Sequence, residues 1–155
     1  MIKNCMKRNV ISIPAQATIR EAAGLVVAHH IGQLPVIDET GKLVGIVDLQ
    51  DILSLELPDI FKLLPDVDFV HDFGAVETTR PTEQELSQSI TSLARQATSV
   101  LETCGLLRAY ALMLKHDLHD LPVVEESGHL VGIASRVDLG TAILSLWKDT
   151  AAETP

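Results

Sequence analysis

The stretch LPVIDETGKLVGIVDLQDI at residues 34–52 decides the fold, because the chain repeats it as LPVVEESGHLVGIASRVDL at residues 121–139. The two copies align without a gap at an offset of 87 residues, and ten of the nineteen positions are identical. Such repetition indicates a duplicated structural unit. The copies differ where Asp48-Leu49 of the first becomes Ser135-Arg136 in the second.

Each copy has the pattern of a β-hairpin, with two short apolar runs separated by polar residues and a glycine. A helical pattern precedes each hairpin, at residues 19–30 and 105–115, and Thr18 with Glu21 has the spacing of a capping box. A second helix follows each hairpin. The sequence therefore predicts two α-β-β-α units.

A unit of two strands cannot bury both faces of its sheet alone. We therefore expect an α/β fold of the α+β type, in which the two repeats pack sheet to sheet with pseudo-twofold symmetry. The predicted boundaries are residues 1–55 for the first repeat, 56–92 for an inter-repeat insertion, 93–147 for the second repeat and 148–155 for a C-terminal tail.

The composition restricts the possible function. The 155 residues carry a formal net charge of -9, which argues against nonspecific binding to nucleic acid or to anionic membranes. The sequence shows no secretion signal and no apolar run of about 18 residues. The two cysteines, Cys5 and Cys104, have no spacing typical of a disulfide framework or a metal site. We expect a soluble cytoplasmic protein with reduced thiols and no membrane insertion.

The pattern Leu-Pro-Val-(Ile/Val)-(Asp/Glu), followed by Gly-x-Leu-Val-Gly-Ile and a closing Asp, resembles the CBS domain, and its tandem occurrence resembles a Bateman module. The resemblance implies a regulatory, non-catalytic module that binds AMP, ADP, ATP or S-adenosylmethionine. It also implies a homodimer. Because residues 1–155 carry no effector domain, we expect the effector to be either a separate protein or a region beyond Pro155.

The resemblance also implies roles for individual residues. Asp138 is expected to bind ribose, while Ser135 and Arg136 serve phosphate, with His119 facing the same cleft. The remaining candidates are the opposite wall of that cleft and the equivalent Asp of the first repeat: Ile31, Gly32, Cys5, Met6 and Asp51.

The first repeat departs from the family pattern at Asp48, where Ser or Thr is expected. A carboxylate there would repel a nearby phosphate by roughly 1–4 kcal/mol, and Leu49 in place of Arg supplies no compensating positive charge. The sequence therefore predicts an asymmetric pair. The cleft with Ser135 and Asp138 accepts a nucleotide, while the other is empty or takes an uncharged or cationic adenosyl compound.

Simpler interpretations stay open. Asp51 and Asp138 could act only as first-turn helix caps, Ser135 could be an N-cap, and Arg136 is expected to face solvent if its cleft is empty. The cysteines fit small core residues. The histidine pairs at 29–30 and 116/119, and His71 with its Asp neighbours, lack a recognised metal-site spacing, so no metal is expected.

The inter-repeat insertion is acidic and contains Phe61, Phe69 and Phe73. We expect a helix within residues 60–64 and, from the capping-box pair Thr82 and Glu85, a helix that runs toward Leu93. The insertion is either a locally packed segment or an interaction surface.

The sequence as a whole leaves three functions open: an adenosyl-ligand sensor, a structural adaptor that binds no nucleotide, or an enzyme with an unrecognised site.

Overall fold

The computed structural model describes residues 1–57, Leu63 and residues 80–151. The elements in chain order are β1 (Ile13–Pro14), α1 (Ile19–His29), β2 (Gln33–Ile37), β3 (Leu43–Asp48), α2 (Leu49–Leu53), α3 (Glu83–Leu86), β4 (Val100–Leu101), α4 (Leu106–Lys115), β5 (Asp120–Val124), β6 (Leu130–Ser135) and α5 (Arg136–Ala151), with 3-10 turns at Ile2–Asn4 and Ile90–Ser92. Of the single helix expected within residues 60–64, only Leu63 is among the described residues, and Phe61, Phe69 and Phe73 lie outside them.

The strands form two sheets of the same topology, β1-β2-β3 and β4-β5-β6. The predicted hairpins are the antiparallel pairs β2–β3 and β5–β6, in which Leu34 pairs with Val47 and Leu121 pairs with Ala134. The prediction of two strands per repeat was incomplete, because each sheet has a third strand. The short strands β1 and β4 pair in parallel with β2 and β5, on the side of each strand opposite to its hairpin partner.

The helix ends follow local chemistry. Thr18 and Glu21 form the predicted capping box at the start of α1, with Thr18 N donating to Glu21 Oε2 at 2.8 Å. Thr82 and Glu85 form the second one, but α3 ends at Leu86 instead of running toward Leu93. The helix stops because Ser89 forms a bridge with Thr18 and Ile90 N donates to Ala17 O at 2.8 Å, which requires extended backbone.

Each repeat has its own hydrophobic cluster, and each cluster also includes residues from the other repeat. The first cluster surrounds β2 and β3 and includes the fully buried Ile90. The second surrounds β5 and β6 and includes Ile2 and Met6. We call residues 2–7 the N-terminal arm and residues 90–95 the central arm. The repeats therefore exchange equivalent arms.

The arms are held by backbone pairing as well as by apolar contacts. Lys7 exchanges two backbone hydrogen bonds with Ile133, at 2.8 and 2.9 Å. Arg95 does the same with Ile46, at 2.9 Å each. Gly132 and Gly45 permit this close approach. A Cβ on Gly132 would lie 2.5 Å from Met6 Sδ, and one on Gly45 would lie 3.2 Å from Arg95 O.

The hairpin turns of the two repeats also meet. Leu43 N donates to Gly128 O and Leu130 N donates to Gly41 O, each at 3.1 Å. These reciprocal bonds and the exchanged arms give the pair its pseudo-twofold symmetry, in agreement with the predicted fold. Across the described ranges, no helix is both long and apolar enough to cross a bilayer.

Candidate functional site

The junction between β6 and α5, here called the second junction, places Ser135 and Asp138 in direct contact. Ser135 donates to Asp138 Oδ2 from its backbone N at 2.9 Å and from its Oγ at 2.8 Å, and Asp138 N donates back to Ser135 Oγ at 3.0 Å. Lys7 Nζ lies 3.7 Å from the same Oδ2. The serine, the aspartate and the arm lysine therefore form one polar group at the N-terminus of α5.

This group fixes the charge and the direction of the Asp138 carboxylate. Burial disfavours the charged form, but the hydrogen bonds from Ser135 and the charge of Lys7 outweigh it, so the pKa of Asp138 is lowered. Among the described residues, the contacts of the carboxylate all involve Oδ2. Oδ1 therefore has hydrogen-bonding capacity that no described residue uses.

The first junction, between β3 and α2, has a different composition. Asp48 N donates to Asp51 Oδ2 at 2.8 Å, as Ser135 N does to Asp138. Arg95 also binds here, through Nε to Asp51 Oδ2 at 3.2 Å and through its terminal nitrogen to Asp48 Oδ2. The prediction that no positive charge compensates Asp48 was therefore wrong. The compensating cation comes from the central arm and not from the motif itself.

A cavity of about 310 Å³ lies between the two repeats. Its wall combines the start of each central hairpin strand, the first junction and the segment that precedes β5: Gly32, Gln33, Asp48, Leu49, Gln50, Asp117, Leu118, His119 and Asp120. We call it the central cavity. Asp120 connects this cavity with the second junction, because it pairs with Ser135 across β5 and β6 and its carboxylate feels the charges of Lys7 and Asp138.

Two equivalent residues in the wall, Gln33 and Asp120, each precede a Leu-Pro pair. Gln33 Nε2 donates to Asp48 Oδ1 at 3.1 Å, while Gln33 Oε1 is buried without a hydrogen-bond partner in the described part of the chain. The carboxylate of Asp120 makes no hydrogen bond or ion pair with any other described residue. Burial raises the pKa of Asp120, opposed by Lys7 and His119 and reinforced by Asp138 and Asp48.

The residues predicted from sequence fall into separate surroundings. Gly32 and His119 line the central cavity. Cys5 lies near Asp138, and burial followed by that negative charge raises the pKa of its thiol. Met6 is buried in the second cluster, whereas Ile31 packs against the first. The structure thus brings Cys5 to the second junction and places Met6 and Ile31 in cores.

Arg136 lies beside the central cavity but is already engaged. Its Nε donates to Leu118 O at 2.5 Å and its terminal nitrogen donates to Asp117 Oδ1 at 2.8 Å. The expectation that Arg136 faces solvent in an empty cleft was therefore wrong. The guanidinium holds the segment before β5 in place, and a ligand phosphate would compete with Asp117 for it.

The described histidines, cysteines and acidic residues contain no group of three or more that is placed to hold a metal ion. His71 lies outside the described residues. Cys5 and Cys104 both pack, partly buried, against the second cluster.

Sequence reasoning missed Lys7, Arg95 and Asp120. A signal for the first two exists, because Ile2 precedes Lys7 and Ile90 precedes Arg95 by the same five residues. The equivalence of Asp120 and Gln33 was visible in the alignment, since both directly precede Leu-Pro. That Gln33 Oε1 and the Asp120 carboxylate have no hydrogen-bond partner among the described residues depends on packing between the repeats and has no sequence signal.

Comparison with known proteins agrees with this geometry. The family model for the CBS domain matches residues 2–57 and again residues 90–145. The chain is 27% identical over 162 residues to the CBS domain-containing protein CBSX2, chloroplastic, of Arabidopsis thaliana, covering 96% of this chain and 64% of that protein. It is 30% identical over 132 residues to homoserine O-acetyltransferase of Methanocorpusculum labreanum, covering 85% of this chain but 22% of that protein. The chain thus spans less than two thirds of these relatives.

Solved structures share the fold. The crystal structure of CBSX2 in complex with AMP superposes with a TM-score of 0.70 at 24% identity, covering 94% of this chain and 96% of that one. The CBS domain pair of protein MJ0100, in complex with 5′-methylthioadenosine and S-adenosyl-L-methionine, gives 0.67 at 22% identity, with 94% and 96% covered. The CBS domain of a bacterial CNNM/CorC family Mg²⁺ transporter in complex with ATP gives 0.68 at 18% identity, with 92% and 86% covered.

Proposed function

The chain belongs to the CBS domain family as a tandem pair, and on that premise we propose that it is a regulatory module that binds an adenosyl ligand at its second junction. The candidate ligands are AMP, ADP, ATP and S-adenosylmethionine. Binding changes the relation between the two repeats, and a separate effector protein responds to that change.

The observation that carries the proposal is the Asp138 carboxylate. Ser135 and Lys7 hold its Oδ2, and its lowered pKa keeps it charged at neutral pH. A fixed, charged carboxylate with a free oxygen is a good acceptor for the two hydroxyls of a ribose. Cys5 of the N-terminal arm, partly buried and close enough for its thiol to feel the Asp138 charge, lies beside this carboxylate.

The composition of the first junction is an argument for one ligand per chain, bound at the second junction. Arg95 already binds both Asp48 and Asp51, so a ligand there must displace an ion pair as well as approach two carboxylates. This extends the asymmetry predicted from sequence and gives it a different cause. The ligand is excluded by an occupied carboxylate pair and not by an uncompensated one.

The proteins of similar fold support the ligand class, since they hold AMP, S-adenosyl-L-methionine with 5′-methylthioadenosine, and ATP. We propose a non-catalytic role because the match to the acetyltransferase covers 22% of that enzyme. A cytoplasmic homodimer is part of the same proposal.

A structural adaptor is the second candidate. The arm exchange favours it, because Arg95 pairs with both carboxylates of the first junction and each repeat contributes residues to the core of the other. An adaptor of this kind would use the rigid pair for association with another protein and would bind no nucleotide.

Isothermal titration calorimetry with AMP, ADP, ATP and S-adenosylmethionine separates the two. The informative variants are Asp138→Asn and its matched control Asp51→Asn, which makes the same change at the equivalent position. We expect one site per chain, lost in Asp138→Asn and kept in Asp51→Asn. Absence of binding by all four compounds to folded protein would favour the adaptor.

A further inference from the structure

We propose that the central cavity selects an adenosyl ligand whose 5′ substituent is positively charged and donates hydrogen bonds, such as a sulfonium or ammonium compound, over one that carries phosphates. This inference rests on the proposed function, because it assumes that the ribose is held at Asp138 beside the cavity.

The first argument concerns hydrogen bonding. The wall of the central cavity contains the carboxylate of Asp120, which makes no hydrogen bond or ion pair with any other described residue. Asp120 is partly buried, and an acceptor shielded from water without a donor is costly, so a ligand that donates hydrogen bonds gains by binding there. A phosphate supplies acceptors and would leave this carboxylate unsatisfied.

The second argument concerns charge. The wall carries the carboxylates of Asp48, Asp117 and Asp120. Arg95 pairs with the first and Arg136 with the second, which leaves Asp120 as the carboxylate without an ion pair in the described wall. Lys7, whose charge also acts on Asp120, is paired with Asp138. A polyphosphate would therefore enter a site in which each described arginine and lysine already has a carboxylate partner.

The third argument concerns position and size. Asp120 lines the cavity and pairs with Ser135 across the sheet, and the charges of Lys7 and Asp138 act on its carboxylate, so Asp120 is the wall residue nearest in the fold to the second junction. A volume of about 310 Å³ lies at the lower end of the range for small-molecule sites. It suits a short substituent extending from a ribose and is restrictive for a triphosphate.

The test is a calorimetric series on the full chain with four adenosyl compounds that differ in the 5′ substituent: S-adenosylmethionine, 5′-methylthioadenosine, AMP and ATP. We expect affinity to fall in that order. Asp120→Asn keeps the shape and one acceptor oxygen but removes the charge. It should lower the ratio of S-adenosylmethionine affinity to AMP affinity by about tenfold.

Glu126→Gln is the matched control, because it removes one negative charge from an exposed turn beyond the other end of β5. It should leave the ratio unchanged. Binding of AMP or ATP as tight as that of S-adenosylmethionine, or an unchanged ratio in Asp120→Asn, overturns the charge selection and leaves adenosyl binding intact. Failure of all four compounds to bind overturns the proposed function and this inference with it.

Discussion

Arg95 donates from Nε to Asp51 Oδ2 at 3.2 Å, and this hydrogen bond joins the central arm to the first repeat. Lys7 stands in the equivalent relation to Asp138, with 3.7 Å between Nζ and Oδ2. Each junction aspartate therefore receives a cation from an arm. Because the same arms also fill the two cores, the geometry of the junctions is coupled to the folding of both halves.

Removing the apolar anchor of either arm should destabilise the whole chain. Ile2 and Ile90 are both fully buried, in the second and first cluster respectively. We expect Ile2→Ala and Ile90→Ala each to lower the free energy of unfolding by about 2–4 kcal/mol in urea titrations. The exposed Leu107 is the control, and Leu107→Ala should change the free energy of unfolding by less than about 0.5 kcal/mol. A loss below 1 kcal/mol for Ile2→Ala would mean that the N-terminal arm is not part of the core.

A side chain at Gly132 should destabilise the packing of the N-terminal arm against β6. A Cβ there would lie 2.5 Å from Met6 Sδ and 3.1 Å from Lys7 O. We expect Gly132→Ala to cost about 1–3 kcal/mol in the free energy of unfolding. Gly24→Ala is the control, because a Cβ at Gly24 meets nothing within 4 Å and the residue lies inside α1. That substitution should stabilise the chain by about 0.5–1 kcal/mol. A neutral Gly132→Ala would show that the arm is displaced easily.

The parts of the molecule that could be predicted depend on contacts between residues close in sequence, and the parts that could not depend on contacts between distant residues. The hairpins, the capping boxes and the placement of Asp51 and Asp138 in first helical turns depend on residues close in the chain, and the repeat supplied each pattern twice. Strands β1 and β4 escaped prediction because two residues are too few to show alternation. The arms escaped because their apolar residues pack on strands in the other half of the chain.

The candidate site was predictable to a similar extent. The repeat and the family resemblance pointed to Ser135 and Asp138, whose mutual contact is local. The charge balance was not predictable, because Arg95 neutralises Asp48 from 47 residues away. The engagement of Arg136 by Asp117 likewise depends on how β5 and β6 pair. Local motifs therefore located the junctions, while long-range packing determined their electrostatics.

The composition of the first junction should control ligand stoichiometry. Asp48→Ser together with Leu49→Arg gives this junction the residues of the second, and it removes one of the two carboxylates that bind Arg95. We expect the number of ligands per chain in calorimetry to rise from one to two. Asp48→Asn alone is the control for charge without the serine and arginine. A stoichiometry that stays at one in the double variant would mean that Arg95 alone excludes the second ligand.

Asp120 should reduce stability at neutral pH. Its raised pKa means that the folded chain binds the proton more tightly than the unfolded chain, so stability falls as pH rises from below 3.8 through the folded pKa. Asp120→Asn removes this penalty. We expect its melting temperature to exceed that of the wild type by about 2–4 °C at pH 7 and to match it near pH 3. A lower melting temperature at pH 7 would indicate that the charge is already compensated within the fold.

The proposed homodimer makes a prediction for the first helix of each repeat. Val27 and Leu114 occupy equivalent positions near the ends of α1 and α4, and their exposed fractions are 74% and 58%. A second copy of the chain that covers these helices would bury both side chains, and a carboxylate at either position would then be desolvated at the interface. We expect the double variant Val27→Glu with Leu114→Glu to sediment as a monomer while the wild type sediments as a dimer. Val44→Glu makes the same kind of change at an exposed residue of β3 and should remain dimeric. A double variant that stays dimeric would place the contact on another face, of which the exposed apolar residues of α5, Leu144 and Leu146, are the next to test.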